Sequence, residues 1–176
     1  MDFTNKNVLI TGASRGIGKA TAIAFAQKGA KVGLNYRSND EAAQLTLKEL
    51  PGEGHQLFKR DISQKKETKA LIEDFVKAYG QLDVLVNNAG VSIFHEIDSV
   101  DFDHWTTAWE KTFETNLFAA ANLCYWGAQA MIKSGGGHIV NVSSRGAFRG
   151  EPTKPAYGAS KAALNSMSQS LAKKLA

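Results

Sequence analysis

The chain has 176 residues, with 21 Lys+Arg against 17 Asp+Glu, a net charge of +4, 43% hydrophobic and 22% charged content. That length fits one domain with a real core, and the composition excludes disorder and fibrous repeats. One cysteine, Cys124, excludes a disulfide scaffold and a cysteine-based metal finger, and points to a reducing compartment.

The basic residues are dispersed, and the densest clusters are pairs (Lys65-Lys66, Lys173-Lys174). A solvated surface is expected, with no nucleic-acid partner. His55, His95, His104 and His138 lie far apart without a cysteine pattern, so no metal site is expected. The opening residues are polar and Val8-Leu9-Ile10 is too short for a secretory core. The uncharged stretch Thr115–Ile132 is interrupted by Asn116, Asn122, Gly127 and Gln129, which favours a buried helix over a membrane span. The expectation is a cytoplasmic protein without a membrane partner.

In chain order, residues 7–11 read as a strand buried on both faces. Ile17, Ala20, Ala24 and Ala26 give helical spacing from Gly16 to a stop at Gly29. A second strand spans 31–35, and Asn39 or Asp40 can cap a helix ending at Pro51. A third strand covers 54–59. Ser63 is expected to cap a helix with an Ala70, Leu71, Phe75 and Val76 stripe, closed by Gly80. Residues 83–86 form a fourth strand, about 101–132 a long helical region, 138–142 a fifth strand, and 156–176 a last helix. Strands alternating with helices predict an α/β doubly wound parallel sheet with right-handed crossovers.

Between the first strand and helix stands Thr11-Gly12-Ala13-Ser14-Arg15-Gly16-Ile17-Gly18. Glycines there permit a sharp turn, close approach to a pyrophosphate and tight packing of the helix, whose N-terminus then faces the phosphate charge. The spacing is G-x-x-x-G-x-G, so the generic dinucleotide fingerprint matches in mechanism only. Further on, Tyr157 and Lys161 are four apart at the start of a helix and project from one face. A free phenol has a pKa near 10, and an ammonium within about 4–6 Å can lower it by roughly 1–3 units. That brings a tyrosine towards useful acid/base chemistry.

Thr11–Gly18, Asn87-Asn88-Ala89-Gly90 and Tyr157-Gly158-Ala159-Ser160-Lys161 occur in order, with Asn116 and Ser144 between them. Together they resemble the short-chain dehydrogenase/reductase family, and within it 3-oxoacyl-[acyl-carrier-protein] reductase-like members. The resemblance covers essentially every residue. It implies a single NAD(P)-binding Rossmann-like domain over 1–176, with strand order 3-2-1-4-5, and a homo-oligomer, dimer or tetramer. It implies an oxidoreductase moving a hydride between nicotinamide and a carbonyl or secondary alcohol.

The resemblance further assigns catalysis to Asn116, Ser144, Tyr157 and Lys161. Tyr157 exchanges a proton, Ser144 bonds the substrate oxygen, Lys161 adjusts Tyr157 and bonds the nicotinamide ribose, and Asn116 holds a water of the relay. Ser143 competes with Ser144, for which a loop-capping role is the alternative. Cofactor contacts fall on Gly12, Ser14, Arg15, Gly16, Ile17, Gly18, Arg37, Asp61, Ile62, Asn88, Ala89, Gly90, Tyr157 and Lys161. Asn88 is assigned to the adenosine side and Asn87 to bracing the sheet. Asp61 either meets the adenine or serves a helix cap near Ser63.

At the end of the second strand, the position where NAD-binding sheets usually place an acid is Tyr36, followed by Arg37, and Arg15 stands inside the glycine turn. Two guanidinium groups and no repelling carboxylate favour NADP(H) over NAD(H). Ser92, Ile93, Phe94, Arg145, Ala147 and Phe148 are expected along the substrate wall. Trp105, Trp109 and Phe113 recur at helical intervals and are expected to pack or to meet a second subunit.

Family members continue past the tyrosine helix with further strands and a substrate lid. The fifth strand looks interior with nothing after it to cover its edge, so a chain truncated at the C-terminus is expected. The alternative function is a non-catalytic dinucleotide-binding or assembly module.

Overall fold

The computed structural model describes residues 2–176. Five strands, β1 (Asn7–Ile10), β2 (Lys31–Tyr36), β3 (Gln56–Lys59), β4 (Val84–Asn87) and β5 (His138–Asn141), form one sheet in the order β3-β2-β1-β4-β5. Val8 of β1 lies opposite Val32 of β2 and Val84 of β4, and Ile10 opposite Leu34 and Val86, all in parallel register. Every residue of β1 and β4 is buried, which is why both read as continuous apolar runs. The order reverses beside β1, the position at which doubly wound sheets open a crevice for ligands.

The helices are α1 (Gly16–Ala26), α2 (Asp40–Glu49), α3 (Lys65–Tyr79), α4 (Phe102–Phe113), α5 (Ala119–Lys133), α6 (Gly146–Arg149) and α7 (Pro155–Leu175). A π-helical segment, Glu114–Phe118, follows α4. The chain forms two compact units, residues 2–89 with 122–140 and residues 90–121 with 141–176.

In the first unit the helices approach the sheet where side chains are missing. A Cβ on Gly33 of β2 would stand 2.6 Å from the Phe75 ring and 2.8 Å from that of Phe58. Those rings pack 5.6 Å apart over the strand. On α1 the buried residues are Gly18, Ala22 and Ala26, whereas Ile17 is 67% exposed and Ala20 and Ala24 face solvent. The expected Ile17/Ala20/Ala24 stripe is therefore corrected. The smallest residues face the sheet because the helix lies too close for branched ones.

Asn39 caps α2, its side chain accepting from the Ala42 N–H. Ser63 does not cap α3: the cap position is Gln64, and the Ser63 hydroxyl donates instead to Asp61 Oδ1. The buried face of α3 is Thr68, Leu71, Ile72 and Phe75; Leu71 and Phe75 are as expected, whereas Ala70 and Val76 are half-buried at its edges. Gly80, at φ 84°, closes α3 with its N–H on the Val76 carbonyl. β5 is the last strand of the sheet order, with Val140 47% exposed.

In the second unit, Asp101 caps α4 by accepting from the His104 N–H. Trp105, Trp109 and Phe113 pack on one another, at 5.9 Å and 5.5 Å between ring centroids. The long helical region expected over 101–132 comprises α4, the π segment Glu114–Phe118, whose wider turn carries Asn116, and α5. Asn116, Ala156, Ser160 and Leu164 are buried. α6 is a single turn that the sequence pattern does not announce.

Candidate active site

The glycine turn of the first unit is built by backbone geometry and by one threonine. Gly12 and Gly16 have φ of 64° and 56°, a region that side-chain-bearing residues avoid. Gly18 is excluded from having a side chain for a different reason. Its Cβ would lie 2.4 Å from the Gly12 carbonyl oxygen and 2.5 Å from Asn88 Nδ2. Thr11, 1% exposed, accepts from the N–H groups of Asn88 and Ala89 at 3.0 and 3.1 Å and donates to the Val86 carbonyl. The Asn88 amide donates to the carbonyls of Thr11 (2.8 Å) and Gly12 (3.2 Å), so this side chain braces the turn. The Ser14 carbonyl accepts from Thr46 Oγ1 at 3.0 Å.

Arg15 occupies the cap of α1 in extended conformation, without a side-chain cap bond, and the first turn holds no acid. The first N–H groups of α1 are thus left for an anion. Arg15, Ile17 and Arg37 are exposed, and among the described residues neither arginine is in a salt bridge. Tyr36, where an acid would stand, is buried and donates its hydroxyl to Asp40 at 2.7 Å. The Asp40 carboxylate is held below its usual range chiefly by the Lys59 ammonium at 2.6 Å, and also by Tyr36. Asp61 accepts from the Ser63 N–H and hydroxyl, a turn-forming role, and Ile62 beside it is buried.

The second unit assembles a polar cluster around the start of α7. Asn116 is 1% exposed and fully engaged. Its Oδ1 accepts from the Val91 N–H at 2.8 Å, and its Nδ2 donates to the Val91 carbonyl (2.9 Å) and Ser160 Oγ (3.1 Å). Ser160 in turn donates to the Tyr157 carbonyl at 2.8 Å. A Cβ on Gly90 would stand 3.2 Å from Asn116 Oδ1 and 3.7 Å from Lys161 Nζ. Lys161 is 4% exposed and donates to the Val142 carbonyl at 2.8 Å. Burial pushes its ammonium below the ordinary lysine value.

Gly90, Asn116, Ser160, Tyr157 and Lys161 are therefore brought together. Among the described residues no hydrogen bond joins the Tyr157 hydroxyl to Lys161 or to either serine. Ser144 Oγ accepts from the Gly146 N–H at 3.1 Å, a loop-capping bond that leaves its own proton to donate. Ser143 Oγ is buried without a partner among the described residues. Phe94 and Phe148 are 50% and 83% exposed. Among the described residues no group of three or more His, Cys, Asp or Glu could hold a metal, and no helix is long and apolar enough to cross a membrane.

The model of the short chain dehydrogenase family matches residues 6–176. The chain belongs to the short chain dehydrogenase family. It is 38% identical to an uncharacterized oxidoreductase of Thermotoga maritima, over 98% of this chain and 66% of that protein. It is 38% identical to an L-rhamnose 1-dehydrogenase (NAD(P)(+)) of Sphingomonas sp., over 95% and 65% respectively. A 3-oxoacyl-[acyl-carrier-protein] reductase FabG of Staphylococcus aureus is 34% identical over 97% of this chain and 69% of its own. The solved structure of a candidate short-chain alcohol dehydrogenase from Sinorhizobium meliloti superposes with a TM-score of 0.89 at 31% identity, over 98% of this chain and 68% of that one. The chain thus spans about two thirds of the length of the curated relatives it matches.

The roles of three residues of this chain, Thr11, Thr46 and His95, escape a motif-based reading, although Thr11 itself opens the quoted motif. Thr11 and Thr46 brace the glycine turn through hydroxyls, and only the strand-to-turn position of Thr11 hints at its role. His95 is completely buried beside α7, and its isolation in sequence carries no signal at all.

Proposed function

We propose that the chain is an NADP(H)-dependent oxidoreductase acting between a carbonyl and a secondary alcohol, working as one NAD(P)-binding domain. The observation that carries this reading is the buried ammonium of Lys161, grouped with Gly90 and the fully bonded Asn116 at the start of the helix that bears Tyr157. A desolvated lysine is unfavourable for stability, and sites of perturbed ionisation cluster where chemistry needs them.

The chain's residues fit the dinucleotide. Only a missing Cβ at Gly18 keeps the turn closed, and the uncapped start of α1 offers N–H groups without a competing acid. Gly12, Ser14, Arg15, Gly16, Ile17 and Gly18 would hold the pyrophosphate side, and Arg37, Asp61 and Ile62 the adenosine. Asn88, Ala89, Gly90, Tyr157 and Lys161 would follow it towards the nicotinamide ribose. When bound, the nicotinamide supplies or accepts the hydride. Tyr157 Oη gives its proton to the carbonyl oxygen during reduction and recovers it during oxidation. The Ser144 hydroxyl donates to the same oxygen and orients it. Lys161 favours the phenolate electrostatically, and Asn116 supports the proton relay.

NADP(H) is preferred because Arg15 and Arg37 are exposed guanidinium groups outside any salt bridge among the described residues, able to take a 2′-phosphate bidentately. Arg37→Asp should lower affinity for NADPH relative to NADH by at least about tenfold. An unchanged ratio in fluorescence titrations would refute that preference. We infer a cytoplasmic homo-oligomer; Tyr125 and Ile132, 57% and 61% exposed on α5, are apolar surface that supports the oligomer.

The test of the reading is NADPH oxidation by the intact protein with a panel of sugars, small ketones, steroids and 3-oxoacyl thioesters. Substrate-dependent oxidation is expected. Tight NADPH binding with no turnover across the panel would instead support the non-catalytic binding module.

A further inference from the structure

His95 has no place in the family's catalytic motifs, yet it is completely buried and both of its ring nitrogens are engaged. Its ring is 0% exposed and sits edge-on to Trp105 (5.4 Å, 66°) and Trp109 (6.4 Å, 77°). Its backbone N–H donates to the Thr153 carbonyl at 3.0 Å. Nδ1 is 2.9 Å from the Ile93 carbonyl oxygen, and Nε2 is 3.1 Å from the Ala156 nitrogen. A carbonyl can only accept and an amide N–H can only donate. The two contacts therefore require a neutral ring protonated on Nδ1 with a lone pair on Nε2.

That lone pair meets a specific need. α7 has no side-chain cap of its own: Lys154 occupies the cap position without a cap bond, and Pro155 has no N–H to give. The Tyr157 N–H is satisfied by the Lys154 carbonyl. The N–H of Ala156 is buried, and His95 is the acceptor that satisfies it. Tyr157 is the next residue and Lys161 lies one turn further on.

We propose that His95 is a positioning residue of the site: as the Nδ1–H tautomer it caps α7 from the loop between β4 and α4, and so fixes the first turn that presents Tyr157. The catalytic consequence rests on the reductase reading; the cap does not.

The test has three readouts on the intact protein. Long-range 1H–15N spectra should show His95 protonated on Nδ1, and an Nε2–H tautomer or an imidazolium would overturn the proposal. The Ala156 amide should exchange with solvent at least about tenfold faster in His95→Leu than in the wild type, and unchanged protection would overturn it. In carbonyl reduction, His95→Leu should lose at least about tenfold in kcat, with KM for NADPH within about twofold, since small misplacements of reacting groups cost rate. His95→Gln, which keeps an acceptor for Ala156, should recover most of that loss. Equal kcat in the wild type and His95→Leu would refute the positioning role. If His95→Leu does not fold, the wild-type tautomer and the exchange and kcat of His95→Gln decide. Inactivity of the wild type would refute the reductase reading instead, while the tautomer and exchange would still decide the cap.

Discussion

Adding one methyl group at Gly18 is the sharpest perturbation the glycine turn offers. The new Cβ of Gly18→Ala would lie 2.4 Å from the Gly12 carbonyl oxygen, 2.5 Å from Asn88 Nδ2 and 3.0 Å from Ala13 Cα. Real Cβ contacts essentially never fall under 3.0 Å, so the Gly12 carbonyl and α1 must separate by at least 3.0 − 2.4 = 0.6 Å. Two of the three obstacles are backbone, and the third is the amide that braces the turn, so no flexible side-chain end can absorb the shift. Overpacking of this kind costs about 1–3 kcal/mol. That corresponds to a fall in Tm of roughly 2–4 °C per kcal/mol for a chain of this size. The displaced atoms are those of the proposed pyrophosphate cradle, so NADPH affinity should fall by about tenfold or more. Gly16→Ala is the control: nothing lies within 4 Å of its Cβ, and only its φ of 56° is unfavourable. It should cost about 1 kcal/mol through strain alone. Thermal melts and NADPH fluorescence titrations check both. A Gly18→Ala protein with wild-type melting and affinity would refute the packing argument.

Two further outcomes follow from buried charges. Asp83, 9% exposed, accepts from the Asn7 N–H (2.8 Å), the Gln81 amide (3.0 Å) and Lys6 (3.2 Å). Burial raises its pKa, but these donors together outweigh burial and hold it below the usual carboxylate range. With a depressed folded value, its contribution is present above about pH 4 and lost as pH falls through the folded value. Asp83→Ala should cost about 1–3 kcal/mol in urea unfolding at pH 7 and less at pH 3; an equal cost at both would contradict the assignment. Lys161, lowered by desolvation, works in the opposite sense. The folded state binds fewer protons than the unfolded one as pH rises towards the ordinary lysine value, so stability should rise there. Lys161→Met should abolish that alkaline rise and change stability at pH 7 by less than about 1 kcal/mol, because relief of desolvation offsets the loss of the Val142 bond. Turnover should meanwhile fall at least about 10²-fold, and a stability loss of several kcal/mol at neutral pH would refute the offset.

The sheet was legible because β1 and β4 are buried throughout and carry the uninterrupted apolar runs 8–10 and 84–86. The glycine turn was legible because φ above zero selects glycine, and Asn39 because its side chain competes for the first amides of a helix. What escaped was decided by neighbours. The buried face of α1 runs through Gly18, Ala22 and Ala26, since proximity to the sheet rewards small residues and a hydrophobicity pattern favours large ones. Asn116 was singled out by the resemblance, but the partners its amide finds from the π turn, Val91 and Ser160, lie 25 and 44 residues away in sequence. Asp61 and Ser63 satisfy each other, which removes Ser63 from capping α3. His95 looks like an isolated histidine until α7 is placed beside it.

The central claim is that Tyr157 carries the proton of a carbonyl reduction. It is tested most directly by comparing Tyr157→Phe with the wild type in single-turnover NADPH oxidation, with NADPH affinity measured separately. Loss of only the hydroxyl should lower the chemical rate by at least about 10²-fold while cofactor affinity stays within a few-fold. A rate close to that of the wild type would contradict the account.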